Sequence, residues 1–238
     1  MIGLGTIINC GSVLAGASAG MLLKNGLSKR FEDTIMQGIG LCTMFIGIGG
    51  AMSQMLKITD GALITSGSMM LIICFVLGGL VGELLNIEGA FERFGAWLRK
   101  KTHNESDTGF LSAFIHASLT VCIGAMAIVG SIQDGLLGDS SLLCAKAALD
   151  AVIILVMTAS MGKGCIFSAI PVALLQGGVT LLSRVLAPVF TEAAIANLSY
   201  TGSVMIFCVG LNLVWGKKIK VANLLPTLVF AVLYALVF

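Results

Sequence analysis

Two ionisable side chains interrupt a long apolar stretch in the second half of the chain. Lys146 and Asp150 stand four residues apart in CAKAALDAVIILVM, so on a helix they share one face and can form an ion pair. A charge at the centre of a bilayer costs upward of about 2.5 kcal/mol, which makes such residues candidates for function. Asp150 is about 14 Å along the helix from Ser141, close to the midplane. The alternative is a neutral pair that only joins helices.

Three further polar side chains could join this pair. Asn9 lies near the outer end of the first apolar segment, and Gln176 lies midway along a later one. Gln176 follows Pro171, which removes a backbone donor and can open a helix one turn earlier, exposing a carbonyl oxygen that could bind an ion. Asp134 lies in GSIQDGLLGDSS, which is either a plain turn or the lip of a cavity. We therefore predict a site for a solute or ion formed by Asn9, Asp134, Lys146, Asp150 and Gln176.

The composition indicates what must position these residues. Of the 238 residues, 57% are hydrophobic, 30 are glycine and only 11% are charged, whereas soluble domains carry about 25% charged residues. The predicted fold is an all-α, polytopic transmembrane bundle. A spanning helix needs about 20 apolar residues. Eight such segments are predicted: Gly5–Leu23, Thr34–Leu56, Ala62–Leu85, Gly109–Ile132, Ser141–Met161, Ile166–Ala187, Ala196–Trp215 and Val221–Phe238.

The basic residues predict the orientation of these segments. Of the 14 Lys and Arg, 11 follow the first, third, fifth and seventh segments, two lie on the opposite side, and Lys146 is inside a span. Loops rich in Lys and Arg remain in the cytoplasm. Both termini are therefore expected outside the cytoplasm, and the number of spans is expected to be even.

One connection, residues 87–108, is longer than the others. Its first part has apolar residues at helical spacing opposite charged ones, the pattern of an amphipathic helix in the cytoplasmic headgroup layer. Its second part, THNESDT, predicts an exposed linker. We expect this connection to belong to a single transmembrane domain that covers residues 1–238.

An internal duplication is a further hypothesis. A shift of 162 residues aligns the first three predicted helices with the last three and matches Gly16 with Gly178, Gly40 with Gly202 and Phe45 with Phe207. The two triplets would run in opposite directions, which is the inverted-repeat symmetry of many secondary transporters.

Several classes of function are not expected. The seven cysteines show no metal-binding spacing, and the chain has no nucleophile elbow, Walker A or zinc-protease motif. We therefore predict no enzyme activity, no metal and no cofactor. The net charge of +2 is small and its basic residues fall in short runs between apolar stretches, so no nucleic-acid partner is expected.

Four segments together resemble a known family. MIGLGTIIN, FEDTIMQGIGLCTMFIGIGGA, AIVGSIQDGLLGD with CAKAALD, and FSAIPVALLQGG are similar to the bacterial inner-membrane family of unknown function typified by the YqgA and YdfK proteins. The resemblance covers essentially the whole chain. It implies a bacterial cytoplasmic-membrane protein and carries over no site residues.

Buried polarity without catalytic motifs leads to the hypothesis of a secondary transporter for a small polar or charged solute, with coupling to protons or sodium as one option. Asp150 would respond to a proton or cation, Lys146 would be its partner, and Asn9, Asp134 and Gln176 would line the path. A channel, or a non-transporting protein that organises or binds membrane partners, stays open as an alternative. The expected partners are the bilayer and an unidentified solute, and the small-residue helix faces permit a homo-oligomer.

Overall fold

The computed structural model describes residues 1–24, 29–59, 61–105, 107–123 and 125–237. The predicted all-α, polytopic class is confirmed, with one short β-hairpin in addition. The elements are α1 (Leu4–Lys24), α2 (Lys29–Met55), β1 (Leu56–Thr59), β2 (Ala62–Thr65), α3 (Ser68–Leu85), α4 (Ile87–Lys101), α5 (Phe110–Cys122), α6 (Ala125–Leu137), α7 (Ser141–Met161), a 3₁₀ helix (Lys163–Ser168), α8 (Ala169–Leu181), α9 (Ser183–Leu186), α10 (Glu192–Trp215), a second 3₁₀ helix (Val221–Leu224) and α11 (Pro226–Val237).

Several of these helices match the thickness of a bilayer, and the first 3₁₀ helix does so together with α8. In the described part of the chain six helices are long and apolar enough to cross, and up to seven if the bent pair of α5 and α6 counts as one span. The last apolar run, Val221–Val237, is shorter. The number eight and the inverted repeat stay predictions.

The third span begins later than its apolar composition suggests. Residues Ala62–Thr65 were expected to start a helix, but they pair with Leu56–Thr59 in an antiparallel hairpin, and helix α3 begins at Ser68. Gly61 has a positive φ of 76°, which suits a tight hairpin turn. The β-branched Ile58, Ile64 and Thr65 favour a strand.

The fourth predicted span, Gly109–Ile132, is two helices whose axes differ by 60°. The second helix, α6, continues to Leu137. Asp134 is therefore in the last turn of a helix. Of the two sequence interpretations, the plain turn is wrong, and the cavity lip stays a prediction.

Pro171 also acts differently from the expectation. It is the third residue of α8, and the backbone before it is a 3₁₀ helix. In the first turn of a helix the missing N–H of proline removes no intrahelical hydrogen bond. The change of helix type thus lies just before Pro171 and Gln176 lies in regular helix.

The chain folds into two compact units. The first contains Met1–Ile39, Gly89–Cys122 and Met126–Leu186, and all five predicted site residues belong to it. Within this unit α1 and α7 pack in parallel through glycines, because Gly5 meets Leu143, Gly16 meets Ala151 and Gly20 meets Leu155. Small residues let the two backbones approach closely, which is how helices associate in lipid.

Helix α4 packs against α5 in the same unit. The Phe94 and Phe114 ring centroids are 5.9 Å apart, and Gly95 lies against Leu111 and Phe114. The last turn of α4 carries Arg99, Lys100 and Lys101. The cytoplasmic location of this helix stays a prediction.

The second unit contains Gly40–Glu88, Ile123–Ala125 and Ala187–Phe238. In it α3 packs against the chain segment of the second 3₁₀ helix and α11, since Gly82 meets Asn223 and Gly78 meets Thr227. Its apolar core includes Met70, Cys74, Tyr200 and Ala231.

Candidate functional site

The centre of the first unit is an ion pair within helix α7. The Lys146 Nζ donates hydrogen bonds to both carboxylate oxygens of Asp150, at 2.8 Å to Oδ1 and 2.6 Å to Oδ2. The two side chains are 9% and 4% exposed. Asp150 is the tenth of the 21 residues of α7, so the pair lies midway along a helix that can span a bilayer.

A neighbouring helix supplies the third member of the site. Asn9 of α1, fully buried, donates a hydrogen bond from Nδ2 to Asp150 Oδ2 at 3.0 Å. Ser12, one turn further along α1, donates from Oγ to Asn9 Oδ1 at 3.2 Å. The parallel glycine packing of α1 on α7 is what brings Asn9 to the carboxylate.

Asp134, a residue of α6, contacts the beginning of α1. It is fully buried, and its Oδ2 accepts the backbone N–H of Gly5 at 3.2 Å. Gly5 is in the first turn of α1, where N–H groups have no intrahelical acceptor and a negative charge is favoured. Oδ1 of Asp134 has no hydrogen-bond partner among the described residues.

Gln176 of α8 is also buried, at 1% exposure. Neither Nε2 nor Oε1 has a hydrogen-bond partner within the described part of the chain. An unpaired buried polar group costs about 1–3 kcal/mol, so a side chain with two such atoms is a poor packing residue and a good candidate for contact with water or a bound molecule.

The bent pair of helices, α5 and α6, lies alongside α7. Gly109, just before α5, lies near the end of α7: an ideal Cβ on Gly109 would be 3.7 Å from the Met161 carbonyl oxygen. Gly130 of α6 lies against Leu143, near the start of α7. Together, α5 and α6 therefore extend along the full length of α7.

One titratable group near the beginning of α7 lies outside the spans. Asp139 Oδ1 accepts hydrogen bonds from Ser141 Oγ at 2.6 Å and from the Ser141 backbone N–H at 3.0 Å. These bonds favour the charged form and lower the pKa of Asp139.

Comparison with known proteins agrees with the sequence resemblance. From residue 4 to residue 236 the chain matches the family described as "Protein of unknown function (DUF554)". The chain belongs to this family. The predicted resemblance is thus confirmed, and no solved structure matches this DUF554 protein.

Two relatives of this DUF554 protein are similar over nearly their whole length. "Uncharacterized membrane protein YdfK" of Bacillus subtilis (strain 168) is 27% identical over 224 residues, which cover 94% of this chain and 92% of the relative. "Uncharacterized protein YqgA" of Escherichia coli (strain K12) is 26% identical over 235 residues, which cover 96% and 94%. Their names assign no ligand.

The structure of this DUF554 protein brings only part of the predicted site together. Asn9, Lys146 and Asp150 form one hydrogen-bonded group. Asp134 contacts α1 at Gly5, about one turn before Asn9, and Gln176 makes no described hydrogen bond to the ion pair. The predicted set is therefore a buried triad and two separate buried polar side chains.

Sequence reasoning missed the hydroxyl groups beside these residues. Thr6, Ser131 and Thr180 are buried with unpaired hydroxyls among the described residues. Each is three or four residues from a predicted site residue on the same helix, and that spacing was the available signal.

No group of three or more His, Cys, Asp or Glu residues suited to a metal occurs within the described ranges. His116 binds locally, with Nδ1 2.8 Å from the Ser112 carbonyl oxygen. The described arrangement can hold charge and donate or accept hydrogen bonds.

Proposed function

We propose that this multi-pass membrane protein is a secondary transporter of a small polar or charged solute, coupled to movement of a cation. The observation that carries the proposal is the buried Asn9–Asp150–Lys146 triad midway along α7, a helix that also packs against α5, the first helix of the bent pair. Broken helices with polar groups at the midplane form the binding sites of many secondary transporters.

The chemistry of the triad suggests how a solute would bind. The buried Lys146–Asp150 pair is tolerated because its positive and negative charges neutralise each other. A solute carrying an anionic group can take the place of the carboxylate on Lys146, provided that a proton or cation neutralises Asp150 in the same step. Solute binding and cation binding are then linked by charge balance in a medium of low dielectric constant.

The proposal is tested with the purified protein in proteoliposomes on a solid-supported membrane. Glycine, L-glutamate, L-lysine, lactate and succinate are applied in turn, each with Na⁺ or choline and at two pH values. We expect at least one of these probes to give a saturable current that depends on the cation or on pH.

Matched variants separate binding from general damage. Lys146→Ala and Asp150→Asn should reduce the current at least tenfold, whereas Lys163→Ala and Asp139→Asn, in which the replaced residues make exposed hydrogen bonds, should leave it within twofold. Unchanged currents in both site variants would refute the assignment and favour a purely structural pair.

We also propose the bacterial cytoplasmic membrane as the location, with both termini outside the cytoplasm, because the Lys and Arg residues concentrate in alternate connections. In a chain without the native cysteines, a membrane-impermeant maleimide should label Asp139→Cys in intact cells and Lys101→Cys only after lysis. The reverse pattern would invert the topology.

A further inference from the structure

A second group of buried polar atoms lies apart from the ion pair in the first unit. Asp134 Oδ1, the hydroxyls of Thr6, Ser131 and Thr180, and both amide atoms of Gln176 have no hydrogen-bond partner among the described residues. These side chains are at most 8% exposed. Because each unpaired buried polar atom is destabilising, so many together indicate a bound species that supplies their partners.

The register of two helices places four of these side chains together. Ser131 and Asp134 are three residues apart on α6, and Gln176 and Thr180 are four apart on α8, so each pair shares a helix face. The two helices touch at this point, since an ideal Cβ on Gly135 would be 2.5 Å from the Thr180 carbonyl oxygen. Asp134 and Thr180 therefore lie beside the α6–α8 contact.

Helix α1 closes the group from a third side. The Gly5 N–H binds Asp134 Oδ2, and Thr6 is the next residue. Gly5 and Gly130 both lie against Leu143, which ties α1 and α6 to the beginning of α7. Asp134 thus contacts α1 at Gly5 and lies beside the contact of α6 with α8, so three helices contribute carboxylate, hydroxyl and amide oxygens to this part of the first unit.

The charge of this group selects the ligand. Within the described residues Asp134 forms no ion pair, and apart from its carboxylate the group is neutral. A buried carboxylate is unfavourable without a compensating positive charge, and the N-terminus of α1, whose Gly5 N–H binds Asp134, supplies only a partial one. Oxygen donors suit hard cations, and one carboxylate balances a single positive charge, whereas a divalent ion would leave an excess charge in the protein interior.

We propose that Asp134, Ser131, Thr6, Gln176 and Thr180 form a binding site for one monovalent metal cation between α1, α6 and α8. The site is separate from the Lys146–Asp150 pair. Its assignment as the coupling-ion site rests on the proposed transport function, whereas cation binding itself does not.

Binding is measured on the full-length protein in nanodiscs with ²²Na⁺ in a scintillation proximity assay, with unlabelled Na⁺, K⁺ and choline as competitors. We expect saturable binding of about one ion per chain, displaced by Na⁺ or K⁺ and not by choline. At about ten times its Kd the cation should raise the melting temperature by about 3–6 °C.

Variants locate the site. Asp134→Asn should abolish both signals, and Ser131→Ala should lower the affinity at least fivefold if the aspartate variant does not fold. Asp139→Asn, in the exposed turn, should leave affinity unchanged. Lack of saturable binding to the native chain, a melting temperature that responds to pH alone, or retained binding in Asp134→Asn would overturn the cation site.

The outcome for the site is distinguishable from the outcome for the function. Cation binding without transport of any tested solute would refute the proposed transporter and leave the site intact. Solute transport without cation binding would refute the site alone.

Discussion

The ion pair in α7 makes a quantitative prediction about the energetics of a buried charge pair. Lys146→Met leaves the Asp150 carboxylate, 4% exposed, with the Asn9 amide as its remaining described donor. Breaking a buried pair in this way costs about 3–5 kcal/mol. The orphaned carboxyl can also take up a proton, which at pH 7 costs about 4 kcal/mol and limits the loss.

The opposite substitution has a similar effect. Asp150→Leu leaves the Lys146 ammonium, whose two described hydrogen bonds both go to the Asp150 carboxylate, and we again expect a loss of about 3–5 kcal/mol. The double variant removes both charges and orphans the Asn9 amide, for a loss of about 1–3 kcal/mol. The coupling free energy between the two sites is therefore at least about 3 kcal/mol.

The assay is thermal unfolding of the four proteins in the same detergent. Each single variant should melt about 6–20 °C below the native chain, and the double variant only about 2–12 °C below it. At pH 5 the loss in Lys146→Met should be smaller than at pH 7, because the orphaned carboxyl then takes up a proton more easily. A double variant that loses as much as the two singles combined would refute the reasoning.

The same four proteins distinguish the two interpretations of the pair. If it binds solute, the double variant should be stable and inactive in proteoliposomes. If it only joins helices, the double variant should recover stability and transport together.

Three more predictions concern packing, hydrogen bonding and pH. Gly16→Val should destabilise by about 1–3 kcal/mol, because the new side chain meets the Ala151 carbonyl, whereas Gly11→Val on the same helix has open space and serves as control in the same melting assay. Glu88 Oε2 accepts a hydrogen bond from the Ala222 backbone N–H at 3.1 Å. Glu88→Ala removes this acceptor and should lower the free energy of unfolding by about 1–3 kcal/mol in chemical denaturation, and Glu88→Gln should lower it less. Because the pKa of Asp139 is lowered in the folded protein, its charged form stabilises the fold at pH values above the ordinary aspartate pKa. This contribution is lost as the pH falls through the folded-state pKa. Carboxyl NMR should place that titration below pH 3.8, the ordinary value, and Ser141→Ala should move it upward; an unshifted titration would contradict the hydrogen bonds.

Features that depend on local sequence were predicted well. The membrane class follows from apolar length, because the bilayer requires about 20 apolar residues per helix whatever the neighbours are. The ion pair follows from the i, i+4 geometry of a single helix. Family membership follows from sequence similarity along nearly the whole chain.

Boundaries that depend on backbone competition were predicted less well. The hairpin strand Ala62–Thr65 looked like the start of a span because its residues are as apolar as those of a helix. Asp134 looked like part of a turn because glycines surround it, but α6 includes Gly130 and Gly135 and ends at Leu137, just before Gly138. Composition does not distinguish these alternatives, since the choice depends on which backbone hydrogen bonds the packed protein can complete.

The tertiary structure alone decided which helices meet. Asn9 and Asp150 are 141 residues apart, and Gly5 and Asp134 are 129 apart. Many glycine-rich faces in this chain could pack against one another, because in lipid small residues favour close approach without specifying a partner. The sequence by itself therefore determined a membrane bundle with a charged pair in one helix. Packing decided that Asn9 binds Asp150 of that pair and that Asp134 of α6 contacts the start of α1. It also decided that Gln176 is buried without a described partner.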